Sequence, residues 1–105
     1  MHVIVAGVDR EEIGQAIESE GHDVAFVDVA NRPALEEAGI HDATVFVLTE
    51  VEQATSISVA KDINPDLKVV VYASQSLPDF ARGQADLVVD PDLIDAETVA
   101  EELDS

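Results

Sequence analysis

Five short apolar runs alternate along the chain with segments of helical spacing, and this alternation limits the possible folds more than any other feature of the sequence. The runs are His2–Ala6, Val24–Asp28, Thr44–Thr49, Leu67–Tyr72 and Leu87–Val89. Each has the length of a β-strand and is apolar almost throughout. Strands of this kind are buried on both faces, as in a parallel sheet covered by helices. We therefore predict a three-layer α/β sandwich with a five-stranded parallel sheet and helices on both faces.

Polar residues that can cap a helix follow nearly every predicted strand. A side-chain oxygen in such a position accepts a hydrogen bond from the free N–H groups of the first helical turn. The candidates are two pairs with the spacing of capping boxes, Asp9 with Glu12 and Thr49 with Glu52, and three single residues, Asn31, Ser76 and Asp95. The connections are short and no repeat or linker interrupts them, so residues 1–105 are predicted to form a single domain.

The charge balance argues against several classes of function. The chain has 23 Asp and Glu against five Lys and Arg, a formal net charge of -18, and no basic cluster. Such a surface does not neutralise a phosphate backbone, so nucleic acid is not expected as a partner. No apolar run is long enough to cross a membrane, and no signal-peptide pattern opens the chain. We therefore expect no direct membrane insertion and predict a cytoplasmic location.

The acids are dispersed between Asp9 and Asp104 and form no block of five or six. At about 1 M salt the Debye length is about 3 Å, so the mutual repulsion of such charges is largely screened. The 12 Asp and 11 Glu against two Lys resemble the composition of proteins from salt-accumulating halophiles. We predict that the folded chain is halophilic, and more stable in concentrated KCl than in dilute buffer.

In open parallel sheets, ligands bind beyond the carboxyl ends of the strands. Here that rim is predicted to contain Gly7–Asp9, Asp28–Asn31, Thr49–Glu50 and Ala73–Ser76. Asp28 stands 21 residues after Gly7. This is about the separation at which a dinucleotide-binding fold places the acid that binds a ribose hydroxyl.

Several further segments carry a family likeness: Val3–Gly7, Glu20–Val24 with Asp28, Leu35–Ala43, Val45–Val47 with Thr49, and Ala85–Pro91. With them the chain resembles the TrkA-N family, the Rossmann-like, NAD-binding RCK N-terminal domains of potassium-transport regulators. The resemblance implies a stand-alone regulatory module that binds NAD or an adenine nucleotide and forms a homodimer. One strand of that family is missing here, and its loss implies the flavodoxin-like strand order 2-1-3-4-5.

The rim and the resemblance together nominate six cofactor-binding residues, which are Gly7, Val8, Asp9, Arg10, Asp28 and Thr49. Asp9 occupies the place of the second glycine of the fingerprint, where a carboxylate would face a phosphate, so the phosphate loop is predicted to be degenerate. Structural roles compete at these positions. A glycine suits any tight turn, and Asp9 and Thr49 are predicted above to cap helices.

Residues for catalysis or metal binding are few. The chain has no Cys, and its three His are dispersed, so neither a thiolate nor a zinc site is expected. The acids at 90, 92 and 95 lack the glycine that a calcium loop has at its sixth position, and Ile94 stands at the fifth, where an oxygen ligand is needed. The phosphoacceptor set of response-regulator receivers is also missing, because no acid pair follows the first strand, the third ends in Thr49 and no Lys ends a late strand. We therefore do not favour an enzyme.

Two alternatives to the nucleotide-binding module remain open. One is a non-catalytic interaction domain that has lost ligand binding and contacts a protein partner through the charge-poor segments 53–60 and 72–78. The other is a small NAD(P)-dependent oxidoreductase. It is disfavoured because about 100 residues leave little to hold a substrate against the nicotinamide.

Overall fold

A five-stranded parallel sheet forms the centre of the computed structural model, which describes residues 1–103. The strand order is β2-β1-β3-β4-β5, so β2 and β5 are the edge strands. The strands are β1 (His2–Ala6), β2 (Asp23–Val27), β3 (Val45–Leu48), β4 (Lys68–Tyr72) and β5 (Leu87–Val89). All four pairings are parallel. The predicted fold class and strand order are therefore confirmed.

In the described part of the chain, five α-helices cover the sheet: α1 (Ile13–Ser19), α2 (Arg32–Glu37), α3 (Thr55–Ile63), α4 (Asp79–Arg82) and α5 (Ala96–Glu102). Short 3-10 helices at Ile40–Asp42 and Val51–Gln53 precede β3 and α3. None of the helices within residues 1–103 has both the length and the apolar character that a membrane crossing requires.

Alternate residues of each central strand enter two separate cores. In β1, Ile4 and Ala6 face the core that α2, α3 and α4 cover, whereas Val3 and Val5 face the core under α1 and α5. All four side chains are fully buried. Because successive strand residues point to opposite faces, burial on both faces requires the continuous apolar runs seen in the sequence.

Two of the predicted helix caps are confirmed. The Asn31 side chain accepts a hydrogen bond from the Ala34 N–H at 2.9 Å, and Asp95 accepts one from the Thr98 N–H at 2.8 Å. The Ser76 cap is wrong, because α4 begins after Pro78 without a side-chain cap.

Neither of the two predicted capping boxes forms, although the predicted cap of α1 by Asp9 itself is confirmed. Glu12 is the left-handed residue (φ 58°) just before α1, which starts at Ile13. Thr49 lies six residues before the start of α3, because the 3-10 helix intervenes. In both loops the chain makes an additional turn between the strand and the helix.

Candidate functional site at the carboxyl ends of the strands

A cavity of about 310 Å³ opens at the carboxyl ends of β1, β3 and β4. Its charged lining residues are Asp9, Arg10, Glu11, Glu50 and Glu52. Four carboxylates against one guanidinium give this site a negative potential, which repels phosphates and other anions.

Thr49 follows β3 and uses its hydroxyl within the protein. The hydroxyl lies 2.8 Å from the Val8 carbonyl oxygen and 3.1 Å from that of Ala6, and the Thr49 N–H also donates to Ala6. The side chain thus fastens the end of β3 to the end of β1 and to the loop beyond it. These hydrogen bonds, rather than a helix cap, explain why a threonine stands at position 49.

Asp9 caps α1 from four residues before its start. Oδ1 accepts from the Ile13 N–H at 2.8 Å, and Oδ2 accepts from the Gly14 N–H at 3.0 Å. These free N–H groups at a helix start are the ones that a phosphate would bind. The carboxylate therefore occupies the place where a dinucleotide fingerprint holds its pyrophosphate.

Gly7 is required by the turn after β1. Its φ is +99°, and a Cβ built on it would lie 2.5 Å from Thr49 Oγ1 and 3.0 Å from Glu50 Cγ. Both the backbone conformation and the close approach of the β3 loop exclude a side chain at this position.

Glu50 and Gln53 join the loops after β1, β2 and β3. Glu50 Oε2 accepts from the Val8 N–H at 3.3 Å, and Glu50 Oε1 accepts from Gln53 Nε2 at 3.0 Å. The same Gln53 amide donates to the Asp28 carbonyl at 2.9 Å and accepts from the Ala30 N–H at 2.8 Å. One side-chain network therefore holds three strand ends together.

Tyr72 lies at the base of the cavity. It is almost fully buried, and its hydroxyl donates to the Ile94 carbonyl at 2.9 Å. Burial raises the pKa of Tyr72, and the negative charges of Glu11, Asp95 and Asp9 raise it further. The phenol therefore stays protonated at neutral pH and acts as a hydrogen-bond donor.

The structure brings four of the six nominated residues together. Val8, Asp9, Arg10 and Thr49 line the 310 Å³ cavity, and Gly7 packs beneath the Thr49 side chain. Asp28 lies apart, in a shallow depression formed by β2 and α2.

The charge-poor segments 53–60 and 72–78 contribute mostly to packing. Ala54, Ser56, Ile57 and Ala60 are buried, and so is Leu77. In the second segment, Ser74 and Gln75 are exposed and line the cavity.

The three histidines lie at the opposite rim. His2 Nε2 is 2.7 Å from the Ala38 carbonyl oxygen, and His41 Nε2 is 3.8 Å from Glu36 Oε2. Over residues 1–103, no group of three or more His, Cys, Asp or Glu is arranged to hold a metal ion.

The sequence profile of DUF7126, a family of unknown function, matches residues 3–103. This protein belongs to the DUF7126 family. Comparison with curated proteins gives no match.

Solved structures similar to this DUF7126 protein are mostly response regulators. An orphan response regulator of H. pylori superposes with a TM-score of 0.76 at 14% identity, over 99% of this chain and 93% of that one. A CheY-like receiver domain protein of Methanospirillum hungatei gives 0.73 at 16% identity, over 98% and 90%. An atypical orphan response regulator, described as having a phosphorylation-independent mechanism, gives 0.70 at 15% identity, over 99% and 92%. At these identities the likeness establishes the fold.

The assignment to the TrkA-N family is wrong. A TrkA-N domain of an Escherichia coli inner membrane protein superposes with a TM-score of only 0.58 at 17% identity, over 98% of this chain and 94% of that one. The receiver-type structures fit better, and the family profile is that of DUF7126. The function inferred from the resemblance, that of a nucleotide-binding regulator of potassium transport, is therefore wrong as well. Contact of the six nominated residues with a cofactor, NAD or an adenine nucleotide, stays an untested prediction.

Sequence reasoning did not identify two residues that organise the site, Glu50 and Gln53. The sequence places Glu50 at the predicted rim without indicating a role, and it places Gln53 only in a charge-poor segment. Their partners are main-chain groups 23 to 42 positions away in the chain. No local spacing reports such contacts, so the sequence contains no pattern that would have identified them.

Proposed function

We propose that this DUF7126 protein is a receiver-like signalling domain that accepts no phosphoryl group and acts by binding a protein partner. The position of Thr49 carries the proposal. It follows β3, where response-regulator receivers have their phosphoacceptor aspartate, and its hydroxyl is engaged by the carbonyls of Ala6 and Val8.

The carboxylates around Thr49 support the same proposal. Asp9 caps α1, and Glu50 accepts from the Val8 N–H and from the Gln53 amide. Phosphoryl transfer needs cations to neutralise the charge of the transferred group. Among residues 1–103, Arg10 is the only cation that lines the cavity, and Asp90 rather than a lysine follows β5.

A cytoplasmic location belongs to this proposal. The acidic composition supports it, because a surface of this kind suits the concentrated KCl of a salt-accumulating cell.

Treatment with acetyl phosphate and MgCl₂ in about 2 M KCl tests the proposal. We expect the intact mass to stay unchanged, whereas a receiver domain with an aspartate after β3, treated in the same tube, gains about 80 Da per phosphoryl group. A second measurement follows the amide resonances of Thr49 and Glu50 during titration with Mg²⁺ and beryllofluoride, and we expect no shifts. A phosphorylated Asp9 or Glu50, or saturable shifts at these amides, would overturn the proposal.

A further inference from the structure

A groove of about 560 Å³ lies between α1 and α5, and it is larger than the 310 Å³ cavity at the rim. The apolar part of its lining consists of Ala16, Ala96 and Pro91, beside the buried Tyr72. Six carboxylates complete the walls, three from α1 or its flanking residues and three from α5 or its cap: Glu11, Glu12, Glu20, Asp95, Glu97 and Glu101. We call this surface the α1–α5 groove.

No positive charge balances these acids. None of the lysines and arginines of residues 1–103 lines the groove. Three of them form ion pairs elsewhere, Arg32 with Asp62, Lys61 with Asp86 and Arg82 with Asp79. Acids on two walls of a concave surface concentrate a negative potential between them.

Two of these acidic positions cost stability. Glu97 and Glu101 stand one turn apart on α5, and like charges at this spacing repel each other. Within residues 1–103, Glu12 is the one residue other than glycine with a positive φ, 58°, a conformation that a glycine adopts without strain. A solvated surface requires neither arrangement, because acids that serve solubility can stand at unstrained and well-separated positions.

We propose that the α1–α5 groove binds a basic helix of a partner protein. Charge complementarity selects this occupant. An acidic partner, or a second copy of this chain with its net charge of -18, is repelled, and a neutral partner would bury carboxylates without a counter-charge. Lysine and arginine side chains suit the groove in both respects, since their apolar stems pack on Ala16, Ala96 and Pro91 while their charged ends reach the carboxylates.

The spacing of the lining residues favours a helix as the basic element. Glu12, Ala16 and Glu20 follow one another at intervals of four residues, and so do Glu97 and Glu101. A partner helix with Lys or Arg at every fourth position has the same repeat, about 6 Å along its axis. Several of its cations can therefore face carboxylates at once, whereas a flexible polyamine has no such fixed repeat.

This inference deepens the proposed function by naming the partner, and it rests on that function for the view that the domain acts through a protein. The two proposals can fail separately. A gain of mass with acetyl phosphate rejects the receiver-like function alone, whereas the titration described next tests the groove alone.

Titration of the isotope-labelled full chain with a basic peptide tests the groove. The probe is an alanine-based helical peptide of about 16 residues with Lys at every fourth position. In about 1 M KCl the Debye length is about 3 Å, so contact pairs rather than general attraction decide the binding. We expect saturable shifts of the α1 and α5 amides and none in α2. A peptide of the same composition with scrambled Lys positions, and spermine, should each bind at least about fivefold more weakly.

Paired variants connect the binding to the groove acids. Glu97→Gln combined with Glu101→Gln is expected to weaken the peptide complex at least about fivefold. Glu18→Gln combined with Glu102→Gln is the matched control, because it removes two charges from exposed positions of the same helices that do not line the groove, and it should bind as wild type. Circular dichroism shows whether each variant is folded.

Glu12→Gly separates binding from folding. A glycine relieves the left-handed conformation, so the unfolding temperature should rise while peptide binding weakens. A wild-type chain without saturable shifts would overturn the proposal, as would equal binding of the scrambled peptide or of spermine. Equal losses in the two double variants, or binding that survives both the Glu97/Glu101 double variant and Glu12→Gly, would also reject it.

Discussion

The Thr49 hydroxyl donates to the Val8 carbonyl oxygen at 2.8 Å and so joins the loop after β1 to the end of β3. In this receiver-like fold, the residue that follows β3 therefore has a structural role, because its side chain joins two strand ends. A substitution at Thr49 therefore affects the stability of the fold as well as the chemistry of the rim.

Replacement of Thr49 by valine removes this hydroxyl but keeps the side-chain shape. The Val8 carbonyl loses its hydroxyl donor, whereas the Ala6 carbonyl keeps the Thr49 N–H, and we expect the free energy of unfolding to fall by about 1 to 2 kcal/mol. Urea unfolding in molar KCl measures the change. Thr49→Ser should retain most of the stability, and Thr44→Val, at an exposed position just before β3, should change little. Equal losses in the two valine variants would contradict the role of the hydroxyl.

Gly7→Ala is expected to be among the most damaging small substitutions in this chain. The new Cβ would be placed at φ +99° and 2.5 Å from Thr49 Oγ1, so we expect a loss of at least about 2 kcal/mol in thermal or urea unfolding. Gly83→Ala is the control. Its φ is -71° and nothing lies within 4 Å of the added methyl, so its stability should stay within about 1 kcal/mol of wild type.

Asp9→Ala should loosen the start of α1. The N–H groups of Ile13 and Gly14 lose their acceptor, and we expect a loss of about 1 kcal/mol, typical of a missing helix cap. Hydrogen exchange gives the sharper measurement, because the loss of protection should concentrate at these two amides. Glu11→Ala removes the same charge from the same loop and should leave their protection unchanged. If protection at both amides survives Asp9→Ala, the cap is not made in solution.

Asp86 should make stability depend on pH. The hydrogen bond from the Val69 N–H, followed by Lys61, lowers the pKa of Asp86 and outweighs the opposing effect of burial. A carboxyl whose pKa is lower in the folded state stabilises the fold above its unfolded pKa, near 4, and that contribution is lost as pH falls through the folded value. Because the side chain is 44% exposed, we expect Asp86→Asn to cost about 1 kcal/mol at neutral pH.

The gap between Asp86→Asn and wild type should narrow as the pH falls below the unfolded pKa and close once Asp86 is protonated in the folded state as well. Measurement in about 2 M KCl screens the general repulsion among the other acids. Asp79→Asn is the matched control, because that side chain is 99% exposed and makes only a 3.8 Å contact with Arg82. A gap that stays constant with pH would show that charge at Asp86 is not involved.

Concentrated salt should stabilise the folded chain. We expect a higher unfolding temperature in about 3 M than in about 0.1 M KCl, because the Debye length falls below the spacing of most surface acids. Sucrose is a useful control, since it favours burial without screening charge, and its effect should be smaller. Equal stability at the two KCl concentrations would reject a halophilic adaptation.

The parts of the structure that the sequence predicted are those determined by neighbours along the chain. The apolar runs located all five strands to within one residue at each end, and the caps at Asn31 and Asp95 depend on an amide three residues away. Thr49 was misinterpreted because its partners are more than 40 residues distant. The spacing of Gly7 and Asp28 suggested a nucleotide, but the α1 amides are already bound by Asp9, which stands only four and five residues before them.

The Gln53 side chain links loops of the rim that follow different strands. Its side-chain amide offers one donor to Asp28 and one acceptor to Ala30, much as the main chain of an adjacent strand would, while its N–H groups also reach Glu50 and, through it, Val8. The loop after β1 and the loop after β2 are therefore both hydrogen-bonded to the segment Glu50–Gln53 before α3. We therefore expect a partner that displaces one of these loops to displace the other as well, because both are hydrogen-bonded to the same segment.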